Sequence, residues 1–291
     1  MTAIGKGIDT AGYVFERAGD FARARARLAV ADCPDCRGSG LARGVVEDNG
    51  RTYSVVKPCA CTKLARRAEL FNDARVPAVH GQASFDGYRP SNAEQARALQ
   101  AAKDFALRWP QPRGFILSGP VGTGKTHLLS ATIKHLTLEL GVQAAYVEIS
   151  LLYAQIRRGF QDGKSGGEII QPLSRVEVLA IDELGKGRGS QFELETLDEL
   201  IARRYNSGQV TLFATNYSLK APEERNQRGY YDTAAALEAG KESKLLSDRV
   251  GDRIYSRLCE MCEFVELPAS TPDARRARAA NTAPPAMRRR A

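Results

Sequence analysis

One tryptophan, three histidines and three methionines are all that this 291-residue chain contains of those types. The histidines, His80, His127 and His135, show no ligand spacing with one another, and His127 falls in the first turn of a helix. No run approaches the ~18 consecutive apolar residues that a membrane span requires, and no membrane partner is expected. The first thirty residues lack a charged segment followed by an apolar one, so no export signal is visible and a cytoplasmic chain is expected. No internal repeat is visible. At 43% hydrophobic and 26% charged residues, the composition excludes a wholly disordered or fibrous chain.

Basic residues exceed acidic ones by +8, but unevenly. Residues 269–291 hold six arginines and one aspartate, which is +5, so the other 268 residues carry only +3. The basic character sits mainly in a Pro/Ala/Arg tail that reads as disordered and would attract polyanions without specificity. The folded part is close to neutral.

Six cysteines fall into two groups. Cys33-Pro-Asp-Cys36-Arg-Gly-Ser-Gly40 and Cys59-Ala-Cys61 flank a segment, GVVEDNGRTYSVV, whose two β-prone runs meet at Asn49-Gly50, a hairpin signal. Two thiolate pairs joined by a hairpin can converge on zinc at ~2.3 Å, and four thiolates leave no open position, so such a zinc is structural. Gly38 and Gly40 would let backbone N–H groups approach the sulfurs. Unrelated buried thiols and iron–sulfur ligation are the competing uses. Cys259 and Cys262 are expected to share one helix face as small core residues, and Tyr53 to pack the small core of the hairpin module.

Four segments are expected: an N-terminal helix and cysteine module over 1–76, a linker and helix over 77–112, a core over 113–268, and the tail. Residues 12–31 read as a helix, 63–75 as a charged helix, 77–90 as irregular linker, and a helix follows from about Ser91, its N-cap, to Trp109. From Gly114 onward apolar strands (Phe115–Ser118, Gln143–Glu148, Val176–Ile181, Val210–Ala214, Phe264–Leu267) alternate with helices near 124–139, 150–160 and 191–206. That order predicts an α/β fold with a parallel sheet covered on both faces. Residues 219–244 read as a polar excursion.

Gly119-Pro120-Val121-Gly122-Thr123-Gly124-Lys125-Thr126 follows the first of these strands and opens a helix, which is the context a phosphate loop requires. Its glycines let backbone N–H groups face phosphate oxygens, Lys125 is the charge for the β- and γ-phosphates, and Thr126 offers a hydroxyl to Mg²⁺. Val176–Ile181 ends in Asp182-Glu183. The first carboxylate is placed to hold Mg²⁺ and the second to polarise an attacking water. Asn216, at the end of the following strand, is placed for the γ-phosphate or that water.

This order of elements resembles the AAA+ ATPases, and most closely the bacterial replicative-helicase loaders of the DnaC/DnaI type and their relatives, the IstB-type transposition ATPases. The resemblance is carried by Gly119–Thr126, Val178–Gly185, Ala214–Tyr217 and Gly251–Leu258 over roughly residues 75–267, and by the cysteines, which resemble the N-terminal module of DnaI-like loaders. It implies a RecA-like AAA+ parallel sheet with flanking helices plus a small zinc-binding module. It also implies ATP and Mg²⁺ as ligands, ATP hydrolysis, a homo-oligomer when ATP is bound, and a replicative DNA helicase as partner. It further implies an arginine finger, which maps onto Arg257 with Arg253 as alternative, and single-stranded DNA contact by Tyr153, Arg157, Arg158, Phe160 and Lys164. The excursion at 219–244 is longer than the family's connection, and the family's "sensor 2" arginine has no counterpart outside the tail, where Arg275, Arg276 and Arg278 lie. A transposition ATPase usually lacks the cysteine module, and an adaptor whose ATP only orders a surface would need neither Glu183 nor a finger.

Overall fold

A computed structural model describes residues 12–219, 245–268 and 270–274. These fall into two compact units, one made of the residues up to Gly87 with Ser130–Tyr146, the other of Tyr88–Leu129 with those from Val147 on.

The first unit opens on a hairpin, not on the helix expected over 12–31. Strands β1 (Tyr13–Ala18) and β2 (Phe21–Ala26) pair antiparallel across Gly19-Asp20, with Gly19 in the left-handed region at φ 61°. Alanine-rich composition suggested a helix, but the FARARA segment alternates with period two. Ala22, Ala24 and Ala26 are buried while Phe21, Arg23 and Arg25 are exposed, which is strand periodicity. Strands β3 (Leu41–Asp48) and β4 (Arg51–Pro58) form the expected second hairpin. Asn49 (φ 50°) and Gly50 (φ 73°) make its two-residue turn of left-handed residues. Both of its strands are largely exposed, and Tyr53, expected in a small core, is 48% exposed.

Helix α1 (Ala60–Asp73) follows at once and lies along β2. Asn72 acts on the outer edge of β2 as a neighbouring strand would: its Oδ1 accepts from Ala24 N (2.7 Å) and its Nδ2 donates to Ala24 O (3.1 Å). Phe71 is fully buried, edge-on to Phe15. In the same unit the fully buried Lys134 places its ammonium 4.0 Å from the centroid of Phe15 and donates to Gly81 O (3.2 Å).

The five-stranded sheet runs β6-β7-β8-β5-β9, with β5 (Gly114–Ser118), β6 (Ala144–Glu148), β7 (Val178–Asp182), β8 (Val210–Thr215) and β9 (Cys262–Glu266). The β7–β8, β8–β5 and β5–β9 pairs are parallel, and β5, β7 and β8 are buried along their whole length, as strands covered on both faces must be. The helices are α2 (Ala93–Leu107), α3 (Lys125–His135, continued by a π-helical turn over Leu136–Leu140), α4 (Ile149–Gln161), α5 (Gly166–Arg175), α6 (Gln191–Asn206), α7 (Leu246–Val250) and α8 (Asp252–Met261).

Four local expectations are corrected. Asn92, not Ser91, caps α2, its Oδ1 accepting from Gln95 N at 2.8 Å. Helix α5 was not among the expected helices; Gly166-Gly167 and Pro172 are weak helix formers, and its capping box, Ser165 with Glu168, is the signal that marks it. Cys262 begins β9 and is buried, whereas Cys259 on α8 is exposed, so the two do not share a core face. Within the expected tail, residues 270–274 pack, and Thr271 is buried. The rest of that tail, and the excursion at 219–244 apart from Leu219, lie outside the described residues.

A fully buried guanidinium ties the sheet to its helices. Arg204 of α6 donates to Thr211 Oγ1 (2.8 Å), Leu173 O (2.8 Å), Val176 O (2.9 Å) and Val210 O, and burial lowers its pKa to about 9.

Burial also lowers the Lys134 ammonium to about 8 from its ordinary 10.5. Between those pH values the unfolded chain binds the extra proton, so folding gains stability as pH rises. Lys134→Met should therefore raise the thermal midpoint at pH 7, and its advantage should shrink as pH climbs from 8 towards 10.5. Melting curves of both proteins across that range check this.

Candidate nucleotide site and cysteine centre

The loop Gly119–Thr126 hangs between the carboxyl end of β5 and the start of α3. Its entry is fixed on both sides: Gly119 N donates to Thr215 O (3.2 Å), and Leu267 N donates to Ser118 O (2.7 Å). Gly119, Gly122 and Gly124 all have positive φ (145°, 79° and 92°). A Cβ on Gly124 would stand 2.4 Å from the ring of Tyr88, so the loop also needs glycine for space.

The segment read as irregular linker backs the loop. The Tyr88 hydroxyl donates to Thr123 O (2.8 Å), and Gln95 Nε2 of α2 donates to the same oxygen (3.2 Å). Burial pushes the Tyr88 phenol up to about 12, so it stays a donor. No motif in the sequence marks these two residues.

Lys125 is buried, its ammonium donating to Gly119 O and Pro120 O, both at 2.7 Å. Thr126 Oγ1 donates to Asp182 Oδ2 at 2.7 Å, which brings the loop's hydroxyl and the strand-end carboxylate together from residues 56 apart. That pair is a hard-oxygen donor set, and it fits Mg²⁺. Asp182 Oδ1 also accepts from Glu183 N (2.8 Å), and Glu183 takes the left-handed conformation (φ 55°). The turn beyond it is pinned, with Leu184 N donating to Ala214 O (2.8 Å) and Thr215 Oγ1 to Leu184 O (2.7 Å). The Glu183 carboxylate is paired with Lys186, which also meets Glu148 at 3.2 Å; the Glu183 bond foremost pushes the Lys186 pKa up. Asn216 stands exposed just past β8.

Two residues of the expected tail bear on the loop. Ala274 N donates to Gly122 O (3.0 Å), and the Asp273 carboxylate lies 1.9 Å from the point where a Gly122 Cβ would stand.

Arg257 is 18% exposed and donates to Asp198 Oδ1 of α6 (2.6 Å) in its own chain; Arg253 is 73% exposed and 3.6 Å from Asp198 Oδ2. Of the residues expected to touch single-stranded DNA, Tyr153 is buried, with burial foremost raising its phenol pKa, and has no face to offer. Arg157 pairs with Glu193 (3.5 Å), and Arg158, Phe160 and Lys164 are exposed.

The four N-terminal cysteines meet. Cys33, Cys36, Cys59 and Cys61 are buried with free thiols, and their Sγ atoms all lie within 4.8 Å of one another, Cys33–Cys59 at 3.7 Å and Cys36–Cys61 at 3.5 Å. Sulfurs ~2.3 Å from a common centre at tetrahedral angles stand ~3.8 Å apart, so the cluster fits zinc. Burial pushes the Cys36 thiol up, but hydrogen bonds, the Gly40 N–H foremost and Gly38 also contributing, bring it down to about 7. The two glycines thus serve the sulfur as the sequence suggested.

The family model of IstB-like ATP binding proteins matches residues 57–227, more than half of the chain. The chain belongs to this family. The IstB-like chain is also 27% identical over 194 residues to the replicative helicase loader DnaC of Escherichia coli K12, covering 66% of this chain and 71% of that protein. The DnaC of Buchnera aphidicola (subsp. Acyrthosiphon pisum) is 27% identical over 179 residues, 60% of this chain and 71% of that one. Among solved structures, the crystal structure of the DnaC helicase loader superposes with a TM-score of 0.53 at 27% identity, covering 65% of this chain and 98% of that chain. The expected RecA-like AAA+ fold is therefore established, and the chain is similar to replicative helicase loaders. Among the described residues, no helix is long and apolar enough to cross a membrane.

Two outcomes follow from this geometry. Cys59→Ser/Cys61→Ser should lose most of its zinc by elemental analysis, against one zinc per chain in the parent, while ATP affinity is largely kept. Asp273→Asn should bind ATP more tightly, by about three- to tenfold in equilibrium titration, because a carboxylate beside the loop repels the phosphates.

Proposed function

We propose that this protein is an ATP-dependent loader of a replicative DNA helicase onto single-stranded DNA. The observation that carries the proposal is the Thr126–Asp182 contact inside a phosphate loop, on a chain related to DnaC over two thirds of its length. In this reading Lys125 leaves the loop carbonyls for the β- and γ-phosphates of ATP, while the N–H groups of Val121–Thr126 line the cradle. Thr126 and Asp182 hold Mg²⁺, which supplies charge neutralisation at the phosphates. Glu183 orients and polarises the attacking water once Lys186 releases it, and Asn216 completes that side from the end of β8. Arg257 acts on the site of a neighbouring subunit in an ATP-bound homo-oligomer. Its bond to Asp198 must break for that, whereas Arg253 already faces solvent and is the alternative. Arg158, Phe160 and Lys164 are the DNA-facing groups of α4 and the turn after it. The cysteine centre holds a structural zinc.

The family description also fits a transposition ATPase, and the four-cysteine module favours the loader. Co-purification separates the two: the full chain should retain a replicative helicase hexamer and not a transposase, and the reverse result overturns the proposal.

For the chemistry, Lys125→Ala should lose tight ATP binding, and Glu183→Gln should keep nucleotide but stop turnover. Arg257→Ala should bind ATP nearly normally and hydrolyse it ~10³-fold more slowly. Mixed with Lys125→Ala it should recover activity, because one interface then joins an intact loop to an intact arginine. Wild-type turnover by Arg257→Ala would move the role to Arg253.

A further inference from the structure

The backbone beyond the paired acids is free to wander, yet hydrolysis needs it held. Glu183, Gly185, Gly187 and Gly189 all take positive φ (55°, 85°, 146° and 68°), and ordering so glycine-rich a turn costs conformational entropy. Two side chains outside the turn hold it from complementary sides. Glu193 of α6 accepts from Arg188 N (2.8 Å) and Gly189 N (3.0 Å). Arg249 of α7 supplies the donors: its Nε donates to Gly185 O (3.1 Å), and its guanidinium also donates to Gly187 O. These two carbonyls flank Lys186, and a planar guanidinium meets both with donors at a fixed spacing.

Arg249 also reaches the end of β8. Its guanidinium carbon stands 5.2 Å from the centre of the Tyr217 ring, and Tyr217 directly follows Asn216. The same ring lies against Gly185, where a Cβ would stand 3.0 Å from it. Tyr217 O accepts from Ser118 Oγ (2.7 Å), which ties the backbone of that residue to the end of β5. Helix α7 is itself seated on this strand end, with Leu246 N donating to Ser218 O (2.9 Å). One arginine thus joins the turn that carries Glu183 to the residue beside Asn216.

We infer that Arg249 is a positioning residue for ATP hydrolysis in its own chain, holding Glu183 and Asn216 in place at the carboxyl edge of the sheet. The inference rests on the roles proposed for those two residues. A turn anchored through its carbonyls lets the Lys186 side chain leave Glu183 without the backbone following it. None of the groups that Arg249 meets belongs to Gly119–Thr126 or to Asp182, so binding of ATP and Mg²⁺ does not depend on it. Helix α8, which carries Arg257, begins after Gly251 alone. The two arginines nevertheless serve different sites, Arg249 its own chain's and Arg257 a neighbour's.

Steady-state hydrolysis and equilibrium ATP titration of the full zinc-loaded chain test this. Arg249→Ala should lower kcat about ten- to a hundredfold, the scale set by displacing a reacting group ~1 Å, with the Kd for ATP unchanged. Arg249→Lys, a single donor in place of a fork, should fall between Arg249→Ala and the parent. Gly185→Ala, whose Cβ meets the Tyr217 ring, should show the same kind of loss in kcat with Arg249 intact. Mixing separates a role in cis from one in trans. Arg249→Ala should stay inactive with Lys125→Ala, because the subunit that binds ATP still lacks its own Arg249. Parent kcat in Arg249→Ala overturns the inference. Equal loss of kcat and ATP affinity does so too, since it marks a merely structural residue, as does recovery on mixing, since it marks a finger. If Glu183→Gln turns over like the parent, the underlying reading fails instead; if Glu183→Gln is inactive and Arg249→Ala is not, the inference alone fails.

Discussion

Parallel pairing of β5, β8 and β7 is the constraint on which the rest of the nucleotide unit depends. With Ser118 beside Thr215 and Ile181 beside Phe213, three strands end at one level, and their carboxyl ends must deliver the loop, the two acids and the amide to the same edge. The backbone then closes the arrangement. Thr215 O receives Gly119 N, and Ala214 O receives Leu184 N, so the strand between the loop and the acids serves both. A shift of one residue along β8 would move Ala214 and Thr215 out of register with Leu184 and Gly119 and so unpin both the loop and the acids.

The helices answer to the same constraint from outside. Arg204 is worth its burial because its donors meet four oxygens of α5, the turn beyond it, and β8, including carbonyls that helix and strand ends leave open. A shorter cation or a neutral side chain would leave several of those oxygens unpaired, which costs more than the charge itself. Tyr88 and Gln95 do the equivalent work for the phosphate loop, converging on the single carbonyl of Thr123.

Much of this was legible in the sequence where a residue type has few uses. Gly-rich loops, paired acids after an apolar run, a two-residue Asn-Gly turn and four closely spaced cysteines each admit little besides what is observed. Reading failed where composition and period disagreed, as in the Ala/Arg alternation of β2, where the period proved decisive. It failed also where a helix carries Gly at its start and Pro within, as in α5, and where a residue's role depends on a distant neighbour. Asp273 lies 151 positions from Gly122, and Tyr88 lies 35 from Thr123; no local pattern encodes either meeting. Tyr153 went astray for a related reason, since an aromatic on a helix surface and one beneath it look alike until the packing partner is known.

Lys186 joins Glu183 to Glu148, and Glu148 is also the N-cap of α4. One end of that helix is thus joined to the Glu183 carboxylate through two ion pairs and no loop. Whatever draws on α4 from its far side, at Arg158 or Phe160, works on a lever whose short arm is Glu148. Linkage makes the lever run both ways: a load on α4 that shifts Lys186 changes the surroundings of Glu183, and a state of Glu183 that needs Lys186 elsewhere loads α4 in return.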